Sequence, residues 1–180
     1  MDLRSNHDEK LPEPRDDRRE ARQALADACK QVETNLPLYT YQCQNHSSVN
    51  DIYPGCANNQ WTCGFWPGEI WLAYEATGDE KFKTAALIQV DSFADRIDRK
   101  VEVDHHDMGF LYSPTCVAAW KLVGSEKGKN AAIAAADQLL TRYQPSGRFL
   151  QAWALWMTPT TTAISLTACS TCRCCTGQRR

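Results

Sequence analysis

Residues 71–93 read WLAYEATGDEKFKTAALIQVDSF, and a related pattern returns at residues 117–139 as VAAWKLVGSEKGKNAAIAAADQL. The two segments share eight of 23 residues at a constant offset of 46 positions. The identical pairs are Ala73/Ala119, Gly78/Gly124, Glu80/Glu126, Lys81/Lys127, Lys83/Lys129, Ala85/Ala131, Ala86/Ala132 and Asp91/Asp137. We interpret this agreement as an internal repeat.

Each copy carries the signals of a helical hairpin. Pro67 suits the first turn of a helix that runs to Thr77, Gly78 suits the end of that helix, and Asp79 caps the next one. The apolar stripe of that second helix comprises Phe82, Ala86, Val90, Phe93 and Ile97. At residues 124–127 the same signals end one helix and open another, which continues through Leu139 and Tyr143.

Repeated helical hairpins predict an all-α fold, because one hairpin cannot bury its apolar face without a neighbour. The expected architecture is a solenoid or a closed α/α toroid. A first amphipathic helix is predicted from Pro14 to Thr34. Residues 37–64 are predicted to form a loop, and the aromatic residues of segment 61–66 form a cluster at its end.

Composition narrows the class of protein. The chain has 180 residues, of which 43% are apolar and 23% charged, with a formal net charge of −2. This is enough for one domain with a core and gives no electrostatic reason to expect a nucleic-acid partner. The first twenty residues lack the apolar segment of a secretory signal, and the threonines and Pro159 in the uncharged stretch 149–172 argue against a membrane span.

Cysteine usage points to a reducing compartment. Five cysteines lie before residue 154, namely Cys29, Cys43, Cys56, Cys63 and Cys116, and this odd number does not suggest a disulfide framework. We therefore expect a cytoplasmic protein with reduced thiols.

The densest group of chemically useful side chains is Asp104-His105-His106-Asp107, at the predicted entry to a helix. Two imidazoles between two carboxylates suit metal ligation or acid–base chemistry. A metal site would need a further ligand that the sequence does not supply. The alternative interpretation is a charged helix N-terminus that one of the aspartates caps.

Tryptophans offer flat apolar faces that can stack on the C–H faces of sugars. Most of them are expected in the core, including Trp66 and Trp71 beside one helix and Trp120 within another. Trp61 and Trp153 lie in or beside loops, where large aromatic side chains more often meet a ligand. We therefore single out Trp61 and Trp153 as candidate substrate-binding residues.

Five short motifs together resemble the N-terminal half of bacterial unsaturated glucuronyl hydrolases. They are Trp61-Thr-Cys-Gly-Phe-Trp-Pro-Gly, Leu72-Ala-Tyr-Glu, Thr77-Gly-Asp-Glu-Lys, His105-His-Asp-Met-Gly-Phe-Leu-Tyr-Ser and Gln151-Ala-Trp153. The resemblance runs from about residue 20 to Trp153, with matching order and spacing. It implies a six-hairpin α/α barrel, of which about five helices, or the first two to three hairpins, are expected in residues 1–153.

The resemblance also implies a chemistry. Such enzymes hydrate the C4=C5 double bond of the terminal sugar in oligosaccharides made by polysaccharide lyases, and they use two carboxylates without a metal or other cofactor. By similarity, Asp107 matches the first of the family's aspartates, and Trp61 and Trp153 match residues that line the sugar subsite. His105 and His106 are expected to set the hydrogen bonding of Asp107. The family's acid/base aspartate follows Gln-Ala-Trp-Gly, and this chain has no such residue.

Residues 154–180 differ sharply from the preceding sequence. They contain no Asp or Glu, seven threonines and four cysteines. Reading the codons one base out of register forces a glycine after Trp153 and aspartates at Trp156-Met157 and Met157-Thr158. We therefore hypothesise that a one-base shift after Trp153 produced a disordered tail and left the protein inactive or impaired. The rival interpretation, a metal or redox site of Cys169, Cys172, Cys174 and Cys175, lacks a standard ligand spacing.

Three alternative functions stay open from the sequence. The chain could be a noncatalytic saccharide-binding helical fragment, an inactive pseudogene product, or a relative of the unsaturated rhamnogalacturonyl hydrolases, which share the fold.

Overall fold

Helical hairpins form the architecture, as the repeat predicts. The computed structural model describes residues 17–152. Its helices are α1 (Asp17–Tyr39), α2 (Phe65–Thr77), α3 (Glu80–Asp98), α4 (Met108–Tyr112), α5 (Ala118–Val123) and α6 (Glu126–Leu140). A π-helical turn, Ser113–Val117, joins α4 to α5, so that residues 108–123 form one interrupted helix. The described part of the chain thus has five helical units, which confirms the all-α class.

Four two-residue strands accompany the helices. β1 (Cys43–Gln44) pairs antiparallel with β2 (Gly55–Cys56), and β3 (Tyr143–Gln144) pairs antiparallel with β4 (Phe149–Leu150). Both pairs lie in connections between helices or after the last helix. They shape loops and build no core of their own.

The predicted hairpin signals are confirmed in both copies. Gly78 and Gly124 end α2 and α5 with left-handed φ angles of 70° and 68°, a conformation that glycine adopts without a side-chain clash. Asp79 then accepts a hydrogen bond from the Lys81 amide, and Ser125 accepts one from the Gly128 amide. Each hairpin therefore turns at a glycine followed by a side-chain cap.

The core lies between the paired helices. The predicted stripe of α3 is buried throughout, with Phe93 and Ala86 at zero exposure. Trp71 is buried as expected, and its indole N–H donates to the Thr115 carbonyl at 3.1 Å, which ties α2 to the π-helical turn. Pro114 has no N–H to donate, and the irregular turn at its position keeps the surrounding helix continuous.

The repeat also appears on the surface. Lys81 at the start of α3 pairs with Glu33 of α1 at 2.7 Å, and Lys127 at the start of α6 pairs with Asp91 of α3 at the same distance. Lys81 and Lys127 are equivalent positions in the repeat. Successive hairpins are therefore joined in the same way.

Two predicted boundaries are wrong by a few residues. α1 continues to Tyr39 instead of ending at Thr34, because buried side chains satisfy the carbonyl at its end: Trp66 and Gln89 both donate to the Tyr39 carbonyl at 2.9 Å. The start of α2 is as predicted, because the helix begins at Phe65 and Pro67 lies in its first turn. α6 ends at Leu140, since the following residues enter the β3–β4 pair.

Residues 153–180 carry the hypotheses about the shifted reading frame and the cysteine-rich tail, and these hypotheses lie outside the described residues. Among residues 17–152, every helix is too short or too polar to cross a bilayer.

Candidate active site

Asp107 lies at the start of the interrupted helix 108–123, with its side chain 19% exposed. Its position is that of a helix cap, yet its carboxylate makes no capping hydrogen bond. Asp104, the other candidate cap, gives its carboxylate to Arg142 at 2.6 Å. The capping interpretation of this segment is therefore wrong, and the Asp107 carboxylate is not used to hold the helix.

His105 is held in one tautomer beside Asp107. Its Nδ1 accepts the Asp107 backbone N–H at 3.1 Å, so its proton resides on Nε2, which donates to the Glu102 carbonyl at 3.1 Å. Burial, assisted by the positive charge of Arg96, lowers the pKa of His105 below its ordinary value. The ring is therefore neutral at pH 7 and fixes the backbone of Asp107.

His106 lies on the other side of the same carboxylate. Its Nε2 is 3.3 Å from Oδ1 of Asp107, while Nδ1 of His105 is 3.9 Å from Oδ2. The side chains of both histidines are largely buried. Asp107 thus has an imidazole near each carboxylate oxygen, an arrangement that can orient an acid or base.

A metal centre is not built from this group. Both ring nitrogens of His105 are engaged with backbone groups, which leaves that side chain no lone pair for a cation. Within residues 17–152 no group of three or more His, Cys, Asp or Glu side chains is arranged to hold a metal ion.

Trp61 belongs to an exposed aromatic patch at the same end of the helices as Asp107. Its ring is 47% exposed and lies 6.4 Å from Phe65 and 6.0 Å from Phe110, centroid to centroid. Phe65 and Phe110 are themselves 5.5 Å apart. The Phe110 amide donates to the Asp107 carbonyl at 2.9 Å, so the patch is connected directly to the backbone of Asp107.

The patch exists because two backbones approach closely. A side chain at Gly64 would collide with the Phe110 carbonyl oxygen and would lie 2.6 Å from Cα of Leu111. Glycine is thus required where the Trp61 segment meets the helix that follows Asp107. Trp153, the other predicted stacking residue, lies outside the described residues.

Two buried arginines hold the loops of the site, and sequence reasoning missed both. Nε and Nη2 of Arg96 donate to the carbonyls of Val101 and Glu102, at 3.1 and 2.8 Å. Its Nη1 donates to Oδ1 of Asn58 and to the Gln60 carbonyl, each at 3.0 Å. Arg96 therefore joins the segment before Trp61 to the segment before His105.

Arg142 does the same on the other side of the site. Its Nε and Nη2 donate to the carbonyls of Gln151 and Ala152, at 2.8 and 3.2 Å. Its Nη1 donates to Oδ1 of Asp104 at 2.6 Å and to the carbonyl of the same residue at 3.2 Å. The chain therefore reaches Ala152 beside the loop that carries Asp107.

Three cysteines meet beneath the Trp61 segment. Cys43 faces Cys56 across the β1–β2 pair, and Cys63 contacts both thiols. A hydrogen bond from the Cys43 thiol, supported by backbone amides and Arg96, lowers the pKa of Cys63 to about 6. None of the five cysteines in residues 17–152 forms a disulfide.

Comparisons with known proteins give one consistent group of relatives. An unsaturated chondroitin disaccharide hydrolase from Streptococcus pneumoniae is 43% identical over 134 residues, which are 74% of this chain and 34% of that protein. The crystal structure of an unsaturated glucuronyl hydrolase from Bacillus sp. GL1 matches with a TM-score of 0.72 and 38% identity, over 77% of this chain and 37% of that one.

A third match comes from a solved complex. A variant of the Streptococcus agalactiae unsaturated glucuronyl hydrolase, bound to dGlcA-GalNAc6S, matches with a TM-score of 0.65 and 41% identity, over 67% of this chain and 32% of that one. The chain spans about a third of the length of the curated relatives it matches. No protein-family model matches it.

Proposed function

Because the chain belongs, over its aligned residues, to the unsaturated glucuronyl hydrolases, we propose that it forms part of a glycoside hydrolase site for saccharides ending in an unsaturated glucuronyl residue. The whole relatives are about three times as long as the aligned segment, so the activity concerns a site that this segment builds in part. The hydrolase variant complexed with dGlcA-GalNAc6S supports this class of ligand.

The observation that carries the proposal is the environment of the Asp107 carboxylate. Its carboxylate makes no capping hydrogen bond, is flanked by two imidazoles and lies at the same end of the helices as the exposed ring of Trp61. An acid beside an apolar aromatic surface suits a sugar ring whose one face stacks while a polar edge meets the carboxylate.

The proposed reaction is hydration of a vinyl ether. An acid delivers a proton to C4 of the unsaturated ring, and the positive charge that develops at C5 is shared with the ring oxygen. Water gives its oxygen to C5 and its proton to the carboxylate. The hemiketal then opens to a ketone, and the remaining hemiacetal at C1 collapses and releases the rest of the saccharide.

Two carboxylates divide this work in the family, one transferring protons and the other stabilising the charged intermediate and its water. We assign to Asp107 the second task, stabilisation of the charged intermediate and its water. The partner aspartate has no counterpart after Trp153 in this sequence. We therefore expect saccharide binding from this chain, with turnover far below that of a longer relative, since loss of one of two cooperating groups removes most of the rate.

The test uses the full chain and the disaccharide dGlcA-GalNAc6S. Isothermal calorimetry measures binding, and the ultraviolet absorbance of the conjugated double bond measures turnover. Binding of the unsaturated disaccharide, with weaker binding of its saturated counterpart, supports the proposal. A well-folded chain that binds neither saccharide overturns it.

Substitution at the site separates the proposed function from the noncatalytic alternative. Asp107→Asn keeps the size of the side chain and removes its charge, and we expect it to abolish any residual turnover. Asp91→Asn, on the exposed surface of α3, is the matched control and should leave turnover unchanged. Measurable turnover in the wild type that is equal in Asp107→Asn contradicts the role of Asp107.

A further inference from the structure

The two buried arginines occupy equivalent positions in the internal repeat. Arg96 and Arg142 are separated by the same 46 residues that relate the two hairpins, and so are their side-chain acceptors, Asn58 and Asp104. In each copy Nη1 of the arginine donates to Oδ1 of that acceptor, at 3.0 and 2.6 Å. The repeat therefore extends beyond the helices into the loops.

The hydrogen bonds of Nε and Nη2 also correspond, whereas the second acceptor of Nη1 is the Gln60 carbonyl for Arg96 and the Asp104 carbonyl for Arg142. Nε and Nη2 donate to two consecutive backbone carbonyls of the segment that follows the hairpin. For Arg96 these carbonyls belong to residues 101–102, and for Arg142 they belong to residues 151–152. Each guanidinium thus joins the loop before its own hairpin to the loop after it. We call this arrangement the arginine clamp.

Each clamp holds a candidate site residue at the same distance along the chain. Trp61 follows the acceptor Asn58 by three residues, and Asp107 follows the acceptor Asp104 by three residues. We infer that Arg142 is a positioning residue, which sets the geometry of the Asp107 loop through Asp104, as Arg96 does for the Trp61 loop through Asn58. The role of Asp107 in this inference rests on the proposed function, but the loop geometry does not.

The two clamps differ in their side-chain acceptor, which is Asn58 in the first and Asp104 in the second, and this difference provides a test. Asp104 is 65% exposed at its side chain, whereas Arg142 is 8% exposed, so replacing Asp104 leaves the buried arginine bound to Gln151 and Ala152. Asp104→Asn gives the second clamp the acceptor that the first already uses. Asp104→Ala removes the acceptor. Both variants lose the negative charge, and their difference isolates geometry.

Imidazole resonances report the loop without any substrate. The chain has four histidines, of which His105 and His106 lie in the loop while His46 lies in the segment between α1 and α2 and serves as reference. In Asp104→Ala we expect the imidazole chemical shifts of His105 and His106 to move while those of His46 stay. Asp104→Asn should restore them towards the values of the wild type.

A merely structural contact would behave differently. It would lower the melting temperature of Asp104→Ala and leave the imidazole chemical shifts of His105 and His106 in place, as expected for Asp91→Ala, which breaks another ion pair of the surface. Unmoved imidazole resonances of His105 and His106 in folded Asp104→Ala overturn the inference. So does an Asp104→Asn variant that matches Asp104→Ala, because charge and not geometry would then explain the effect.

Saccharide binding is measured on the same proteins. We expect Asp104→Ala to bind dGlcA-GalNAc6S about tenfold more weakly than Asp104→Asn, since a misplacement of about 1 Å can cost about a hundredfold in a reaction step. Equal affinities overturn the positioning of Asp107 for the sugar. If the wild type itself binds no disaccharide, the proposed function fails, and the resonances of the histidines still decide the role of Arg142.

Discussion

Gly64 lies against the backbone of Leu111 so closely that no side chain fits between them. This contact brings the Trp61 segment to the start of the interrupted helix, although Gly64 and Leu111 are far apart in sequence. The aromatic patch of Trp61, Phe65 and Phe110 depends on that approach.

Gly64→Ala should therefore destabilise the fold and displace Trp61. A methyl group forced against backbone atoms costs about 1–3 kcal/mol of unfolding free energy. Urea denaturation measures the loss, and Trp fluorescence reports the displaced ring. Gly55→Ala is the control, because its methyl group would meet only the end of the flexible, exposed Gln42 side chain. Equal stability of the two variants would show that the backbones separate at little cost.

The neutral His105 should make stability depend on pH. Its pKa in the folded state is lowered from 6.5, so the unfolded chain takes up a proton first as the pH falls. Its contribution is therefore fully present above about pH 6.5 and is lost progressively as the pH falls from there towards the lowered folded value. Urea unfolding between pH 7.5 and about pH 5.5 measures the slope.

His105→Gln should flatten that slope, because glutamine does not titrate. His46→Gln removes an exposed imidazole and is the matched substitution for comparison. An unchanged slope in His105→Gln would place the pH dependence in another group.

Removal of one oxygen atom, that of the Ser125 hydroxyl, tests the cap of α6. Ser125→Ala removes the hydroxyl oxygen that accepts the Gly128 amide at 3.1 Å, and we expect a loss of about 1 kcal/mol. For a domain of this size the melting temperature should fall by about 2–4 °C. Ser125→Asn retains a capping oxygen and should melt close to the wild type. A loss of the same size in both variants would contradict the capping role.

Substitutions of Trp61 and Trp66 should affect different properties, saccharide binding for Trp61 and stability for Trp66. Trp61→Ala removes a half-exposed ring, so stability should change little while affinity for dGlcA-GalNAc6S falls. Trp66→Phe removes the buried indole N–H that donates to the Tyr39 carbonyl at 2.9 Å. Because Gln89 still donates to that carbonyl, we expect a cost of about 0.5–1.5 kcal/mol with little effect on a folded site. Thermal melting and calorimetry together check both expectations. Unchanged affinity in Trp61→Ala would remove that ring from the proposed subsite.

Local signals explain why the hairpins could be predicted from the sequence. Gly78 and Gly124 need a left-handed backbone, and the caps that follow them act within three residues, so each turn is encoded where it occurs. The burial of the α3 stripe likewise follows from its helical spacing. The family resemblance was confirmed, whereas the roles of Asp107, His105, His106, Trp61 and Trp153 stay predictions.

The loops of the site could not be predicted in the same way. Arg96 and Arg142 act mainly on backbone carbonyls, and every residue has a carbonyl, so no side-chain pattern identifies the partners. The contact of Gly64 with Leu111 also depends on tertiary packing. The equal spacing of Arg96 and Arg142 was the one signal in the sequence that could have revealed the pair.

The repeated arginine clamp also has a consequence for the side chains of the loops that it holds. The guanidinium fixes a loop through main-chain carbonyls and one side-chain acceptor. The other side chains of that loop are therefore not needed to maintain its shape. The two hairpins therefore present two loops of the same construction whose other side chains can differ. Trp61 and Asp107 stand in corresponding places of these loops, so an apolar ring and an acid occupy equivalent positions above equivalent helices.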